Sequence, residues 1–267
     1  MICVGTAAWS IPRATALQFP GEGTHLRRYA RVLRCAEINS SFYRSHACAQ
    51  YARWAAMTPR NFRFSVKLPQ TITHEQRLRR VRRPLEGFLA EVTGLGDKLG
   101  PLLVQLPPSL EFDARVARNF FSLLRELYRG PVVCEPRHAS WFTPRAQRLL
   151  AVQMIGRVAA DPAKIEAAAF PGGWLGTTPD GGGAVVYYRL HGSPRLYWSR
   201  YSRERIQLWA QALRALSSAT QAWCIFDNTA SGGAIENALE LKAALAPLKQ
   251  NRMNRNFPAR EHDSRAS

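Results

Sequence analysis

One apolar, strand-like run after another in this sequence ends in polar residues that a buried strand would not choose. Glu37 and Asn39 close one run, Lys67 another and Gln105 a third; Glu135 and Arg137, Arg189 and His191, and Asp227 and Asn228 close later ones, with Asp161 at the end of a further run. Leaving such groups buried and unpartnered costs about 2–7 kcal/mol each, so they must pair or line one shared wet cavity. Strand alternation says which can point the same way. Tyr187, Arg189 and His191 share a face opposite Val186, Tyr188 and Leu190. Glu135 and Arg137 oppose Val132, Cys134 and Pro136; Glu37 and Asn39 oppose Ala36 and Ile38; Ser65 and Lys67 oppose Phe62, Phe64 and Val66. The last run is apolar on both faces, and alternation does not choose between Asp227 and Asn228.

Interleaved cations and carboxylates suit an anion site. A planar guanidinium fork matches phosphate or carboxylate oxygens, and an ammonium supplies a point charge. On this reading Lys67, Arg137 and Arg189 bind the anion, Glu37, Glu135 and His191 are the acid–base candidates, and Asn39 and Gln105 orient the substrate, with Asp227 and Asn228 as further substrate contacts. The competing reading is a structural network in which the opposite charges neutralise one another. No metal ligands are assigned and no cofactor is expected. Glu37, Glu135, Asp161, His191 and Asp227 make a divalent metal the alternative, but no HxH, HExxH or DxD spacing supports it, and the neighbouring cations oppose it. GxSxG elbows, P-loops and Cys/His pairs in a suggestive context are absent.

Positioning these residues requires a repeating scaffold. Strands are expected at Ile2–Ala7, Ala36–Ile38, Phe62–Leu68, Leu102–Leu106, Val132–Glu135, Met154–Ala160, Val185–His191 and Ala222–Phe226. Helical periodicity falls between them at His25–Arg34, Ala47–Met57, Leu85–Leu95, Ala114–Tyr128, Pro144–Val152, Ser202–Leu216 and Ala234–Leu248, with an irregular Ala/Gly/Pro segment after the sixth strand. That alternation predicts an α/β fold, a single (β/α)8 TIM-like barrel over residues 1–248, whose active sites lie at the carboxyl ends of its strands. An open doubly wound sheet predicts a glycine-rich phosphate loop after the first strand, and Gly5-Thr6-Ala7-Ala8-Trp9 is not one. Residues 249–267 form a basic tail without periodicity, expected to be disordered.

The chain has 267 residues and a formal net charge of +18, from 32 arginines and five lysines against 19 acidic residues. This charge reflects either a polyanion surface or a compositional bias. Arg77, Arg79, Arg80, Arg82 and Arg83 crowd one loop and are the candidate contacts for nucleic acid; the alternative is a solvated loop. His74 and His138 lie in loops beside the expected mouth, and Trp9, Phe42, Tyr43, Trp141, Phe142, Tyr197 and Trp198 gather near strand ends, where aromatics can stack on a base or sugar. Five scattered cysteines without a CxxC pair read as buried thiols in a reducing compartment. The first residues run directly into a strand and no apolar run reaches about 18 residues, so no membrane partner is expected and the expected location is cytoplasmic. The oligomeric state is not legible.

At these same positions the chain resembles the YecE-like family, also called the domain of unknown function 72 family. The resemblance rests on Gly5-Thr6-Ala7-Ala8-Trp9-Ser10, Glu37-Ile38-Asn39-Ser40-Ser41-Phe42-Tyr43, Lys67-Leu68-Pro69 with Ile72-Thr73-His74, and Leu99-Gly100-Pro101. It continues in Gln105-Leu106-Pro107-Pro108, Glu135-Pro136-Arg137-His138 with Ser140-Trp141, Arg189-Leu190-His191-Gly192 and Phe226-Asp227-Asn228. Pro136 stands where an aromatic or aliphatic residue is usual in the family, and Asp227 where a second Asn is usual. The resemblance implies a TIM-barrel-like fold. Its barrel is similar to those of sugar-isomerase and endonuclease-IV-like proteins, which use metals, an analogy at the level of fold alone. The expectation carried forward is an enzyme, a hydrolase or acid–base catalyst, acting on a phosphate-bearing or other anionic small molecule. The alternatives are a metal-dependent phosphodiesterase or nuclease and a non-catalytic nucleic-acid-binding protein.

Overall fold

Short runs of β-branched, aromatic and cysteine residues, flanked by amphipathic stretches, favour parallel strands roofed by helices. The computed structural model describes residues 1–176 and 185–246 and has that architecture. β1 (Ile2–Ala7), β2 (Cys35–Ile38), β3 (Arg63–Lys67), β4 (Leu99–Gln105) and β5 (Val132–Glu135) are parallel neighbours in chain order. β6 (Gly156–Arg157) pairs with β5, β7 (Ala159–Asp161) with β9 (Val185–Leu190), and β9 with β10 (Gln221–Phe226), which returns to β1. β6 and β7 are two halves of the sixth run, separated only by Val158, so the chain itself bridges the ends of the sheet and the barrel is TIM-like. β8 (Gly172–Gly173) adds an antiparallel bridge on β6. The strand expected at Met154–Ala160 is therefore broken: its first half serves one neighbour and its second half the other.

Between the strands run α1 (His25–Val32), α2 (Cys48–Ala56), α3 (Arg82–Val92), α4 (Ala114–Leu127), α5 (Pro144–Val152), α6 (Arg203–Arg214) and α7 (Gly233–Leu245). Thr24, Asp113, Thr143 and Ser202 start α1, α4, α5 and α6 by accepting from first-turn N–H groups. α4 buries Ala117, Phe120, Phe121 and Leu124, the i, i+3, i+4, i+7 face that packs on the sheet. β4 starts at Leu99, three residues before the expected Leu102, because Gly100 lets the backbone pass the Trp223 ring, which a Cβ there would approach to 2.6 Å. The segment 249–267, expected to be a disordered tail, lies outside the described residues.

The barrel interior is divided along its axis. Cys3, Ala7, Cys35, Leu103, Val133, Val158, Val185, Tyr187, Trp223 and Ile225 form an apolar plug, with Tyr187 and Trp223 stacked at 6.1 Å. Gly5 belongs to this layer, where a Cβ would stand 2.1 Å from the Cys35 carbonyl oxygen. A larger cluster fills the space between sheet and helices. Continuing each inward face past the plug toward the carboxyl ends reaches Glu37, Lys67, Gln105, Glu135, Arg189 and Asp227. Among the described residues no helix is long and apolar enough to cross a membrane.

Candidate functional site

Arg189 stands at the centre of the polar layer, 1% exposed. Its Nε donates to both Glu37 carboxylate oxygens at 3.1 and 3.2 Å and its Nη2 to Glu37 Oε1 at 2.9 Å. Nη1 reaches Glu135 Oε2 at 3.1 Å, and Nη2 also lies 3.0 Å from Asp227 Oδ2. Burial alone lowers a guanidinium pKa; the Asp227, Glu37 and Glu135 charges outweigh it and raise that of Arg189 well above its ordinary value. Tyr187 completes the floor by donating to Glu37 Oε2 at 2.8 Å, and its oxygen lies 2.9 Å from Ser65 Oγ. The Glu37 carboxylate is thus fully buried and committed to Arg189 and Tyr187.

His191 lies between two carboxylates, with Nδ1 3.0 Å from Asp227 Oδ2 and Nε2 3.0 Å from Glu135 Oε1. Neither oxygen has a proton to give, so both ring nitrogens donate and the ring is an imidazolium. Burial opposes that charge, but Glu135 and Asp227 raise the His191 pKa above its ordinary value. Burial likewise pushes Glu135 up, and Arg189, His191 and Arg137 more than reverse it, holding the carboxyl well below the usual range. Besides His191 and Arg189, Glu135 accepts from Gln105 Nε2 at 2.8 Å and from Arg137 Nε and Nη2 at 3.3 Å. Asp227 is lowered too, by Arg189 and His191 against its burial.

These contacts balance. Glu37, Glu135 and Asp227 are matched charge for charge by Arg189, Arg137 and the His191 imidazolium. Lys67, at the end of β3, is the cation left over. It is 5% exposed, and its Nζ stands 3.8 Å from the Phe42 ring centroid. Among the described residues it forms no hydrogen bond or ion pair through that amine. Burial and then the Arg189 charge push its pKa from 10.5 down to about 8, against the opposing pull of Glu37, Glu135 and Asp227. Nearby, the Asn39 Oδ1 is buried without a partner among the described residues.

The mouth continues into a cleft enclosing about 650 Å³, part of it open to solvent. Its polar surface comes from Glu135, Arg137, His191, Tyr197 and Lys164, and its walls include Pro108, Phe142, Ile165 and Leu196. Tyr197 reaches it because the loop after β9 folds back. Its N–H donates to the His191 carbonyl, its ring packs edge-on to His191 at 5.5 Å, and its hydroxyl accepts from Arg137 Nη2 at 3.2 Å. Tyr197 holds φ +63°, a sparsely populated left-handed conformation for a non-glycine residue. The sequence marked Tyr197 only as one aromatic near a strand end; no spacing rule reveals the fold-back. His74, in a single π-helical turn (Thr71–Glu75), packs edge-on to Phe42 at 4.9 Å. Burial, Lys67 and Arg137 all lower its pKa, which keeps the ring neutral.

Several expected residues lie elsewhere. Asn228 follows the inward Asp227 and so faces the helices, donating to the Ser199 carbonyl at 3.0 Å and to Asn237 Oδ1 at 3.1 Å. Asp161 turns away from the mouth to pair with Arg205 of α6 at 2.5 Å. His138 caps the turn Ala139–Phe142, its Nδ1 2.8 Å from Ser140 Oγ. In the arginine loop, Arg77 donates to Ser109, Arg79 pairs with Asp113, and Arg82 pairs with Glu86 and Glu126, while Arg80 and Arg83 are exposed. The loop is pinned by buried Leu78 and Val81, with Arg77, Leu78 and Arg80 all at positive φ.

A divalent metal does not fit this donor set. The point where Glu37, Glu135 and Asp227 converge is filled by the Arg189 guanidinium, and both His191 nitrogens already face carboxylates. Among the described residues no group of three or more His, Cys, Asp and Glu is arranged to hold an ion.

Comparison with known proteins agrees with the fold. Crystal structures of DUF72 family proteins from Thermotoga maritima and Enterococcus faecalis superpose with TM-scores of 0.74 and 0.73 at 24% and 22% identity. They cover 92% of this chain and 99% and 95% of theirs. UPF0759 protein YunF of Bacillus subtilis is 24% identical over 274 residues, spanning 90% of this chain and 93% of its own length. UPF0759 protein YecE of Escherichia coli is 34% identical over 107 residues, a match confined to 40% of this chain and 38% of that protein. The family model described as "Protein of unknown function DUF72" matches residues 3–262, and the chain belongs to that family.

Proposed function

We propose that the protein is an enzyme whose barrel mouth takes a small anionic substrate bearing a phosphate or carboxylate group. The observation that carries this reading is Lys67: a buried ammonium in a cluster whose other charges already cancel, with no partner for its amine among the described residues. A bound anion supplies the missing counter-charge. Arg137, half-buried on the cleft wall beside Tyr197, is the second direct contact. Gln105, bonded to Glu135, and Asn39, with its buried Oδ1 unpartnered among the described residues, are the orienting groups of this reading. Arg189 and Glu37 are sealed beneath the mouth. Their part in this reading is to fix Glu135 and Asp227, and through them His191, rather than to touch substrate. Packing the guanidinium among three carboxylates makes the floor rigid, because moving any member strands a buried charge.

The test is calorimetric titration with inorganic phosphate and with a panel of phosphorylated and carboxylated small molecules. A charge-assisted contact is worth about 1.5–3 kcal/mol, so Lys67→Ala and Arg137→Ala are each expected to weaken binding by roughly 10- to 150-fold. Binding of equal strength in both variants, or no binding by any anion, refutes the proposal.

A further inference from the structure

We infer that Lys67 is a carbonyl-condensing residue, and that the anionic substrate of this mouth carries an aldehyde or ketone with which the Lys67 amine forms an imine. The inference rests on the anionic-substrate reading of the same mouth and assigns its reactive group.

Elimination leads to it. Glu135 accepts from four side chains and Glu37 from two, Asp227 is shared by Arg189 and His191, and His191 has both nitrogens committed. Among the described residues only Asp227 Oδ1, a carboxylate oxygen and not a nucleophilic amine, is left without a partner in this set; the other oxygens and nitrogens are held in buried ion pairs and hydrogen bonds. Lys67 is different. Its amine is uncommitted among the described residues and sits at the carboxyl end of a barrel strand, beside a second cation. A desolvated lysine next to a positive charge is the arrangement that makes an amine nucleophilic. The groups that set its proton affinity are Arg189, which lowers it, and Glu37, Glu135 and Asp227, which raise it; the Phe42 face favours the cation. With a pKa of about 8, about a tenth of the side chain is neutral amine at pH 7, hundreds of times the fraction of an ordinary lysine.

The step balances within the mouth. The neutral amine adds to the carbonyl carbon, forming the C–N bond. Neutral His74, which packs on the same Phe42 ring, takes the proton lost by nitrogen. Solvent returns to the alkoxide oxygen the proton that Lys67 released on becoming neutral, giving the carbinolamine. His74 then gives its proton to that hydroxyl, which leaves as water as the nitrogen lone pair forms the C=N bond. Protonated, the resulting iminium keeps the positive charge that Lys67 contributed, so the substrate's own anion, held by Arg137, still neutralises the site.

Glyoxylate, a small aldehyde bearing a carboxylate, is the probe, with acetaldehyde as the uncharged control. The full chain is incubated with each in the presence of cyanoborohydride, and the five lysines (Lys67, Lys98, Lys164, Lys242 and Lys249) are compared by peptide mapping. Glyoxylate is expected to label Lys67 at least tenfold faster than each of the others, with a rate midpoint near pH 8, and acetaldehyde to label it at least tenfold more slowly. Lys67→Arg is expected to lose the fast adduct while keeping the far-ultraviolet circular dichroism and cooperative urea unfolding of the wild type, which separates loss of the amine from loss of the fold. If Lys67 is labelled no faster than the other lysines while inorganic phosphate still binds, the imine is refuted and the anion site stands. If no anion binds either, both fall.

Discussion

Lys67→Met removes a buried positive charge that no described residue pairs, and leaves a side chain of similar length to lie on the Phe42 ring, so the folded state gains stability at neutral pH. The displacement of the Lys67 pKa from 10.5 to about 8 corresponds to about 3 kcal/mol at 1.36 kcal/mol per unit. Water entering the mouth offsets part of this, leaving an expected gain of about 1–3 kcal/mol, or a rise in melting temperature of roughly 3–10 °C. The sign of the pH dependence follows from proton counting. Between pH 8 and 10.5 the folded protein holds fewer protons on Lys67 than the unfolded chain, so wild-type stability climbs through that window. Lys67→Met lacks this contribution, and the gap between the two proteins closes as pH rises. Urea denaturation followed by tryptophan fluorescence at pH 7, 9 and 10.5 measures it. Cysteine and tyrosine titrations common to both proteins cancel in the difference. A variant no more stable than wild type at pH 7, or a gap that does not change with pH, refutes the claim that Lys67 is an unpaired buried cation.

Arg189→Met strands Glu37, Glu135 and Asp227 around an apolar side chain and is expected to cost about 3–5 kcal/mol or to prevent folding, read by urea denaturation. Asp227→Asn removes one of the two carboxylates holding the His191 proton, so the His191 pKa falls toward its ordinary value in an NMR titration. Because a raised histidine pKa stabilises the fold below the unfolded value and that stability is lost as pH rises through the folded one, the loss begins at lower pH in this variant. Asn228→Ala breaks the bonds to Ser199 and Asn237, and is expected to cost about 1–3 kcal/mol while leaving phosphate affinity within twofold of wild type, measured by denaturation and calorimetry.

Local pattern was enough to read the barrel and most of its mouth. Alternation put Glu37, Lys67, Glu135, Arg189 and His191 on inward faces, because a strand's side-chain period is two whatever surrounds it, and parallel strands end on the same side. The same rule was mute at β10, where Trp223 and Ile225 face the plug and Cys224 and Phe226 the helices, since both sides are apolar. There the register of the closed barrel turns Asp227 inward and Asn228 outward. The broken sixth strand was hidden for a related reason: its residues look uniformly buried, and only the separation of β5 from β9 makes one run serve two partners.

Composition and spacing thus establish which charges exist, which strand carries each, and that they meet at one end of a barrel. They do not establish who pairs with whom. Those pairings join residues as far apart as Glu37 and Arg189, 152 positions along the chain, and Coulomb energy depends on distance in space, not separation in sequence. Tertiary contact alone makes Arg189 the sealed centre, doubles the carboxylates on His191, brings Tyr197 back over the cleft and leaves Lys67 a buried cation without a carboxylate partner among the described residues.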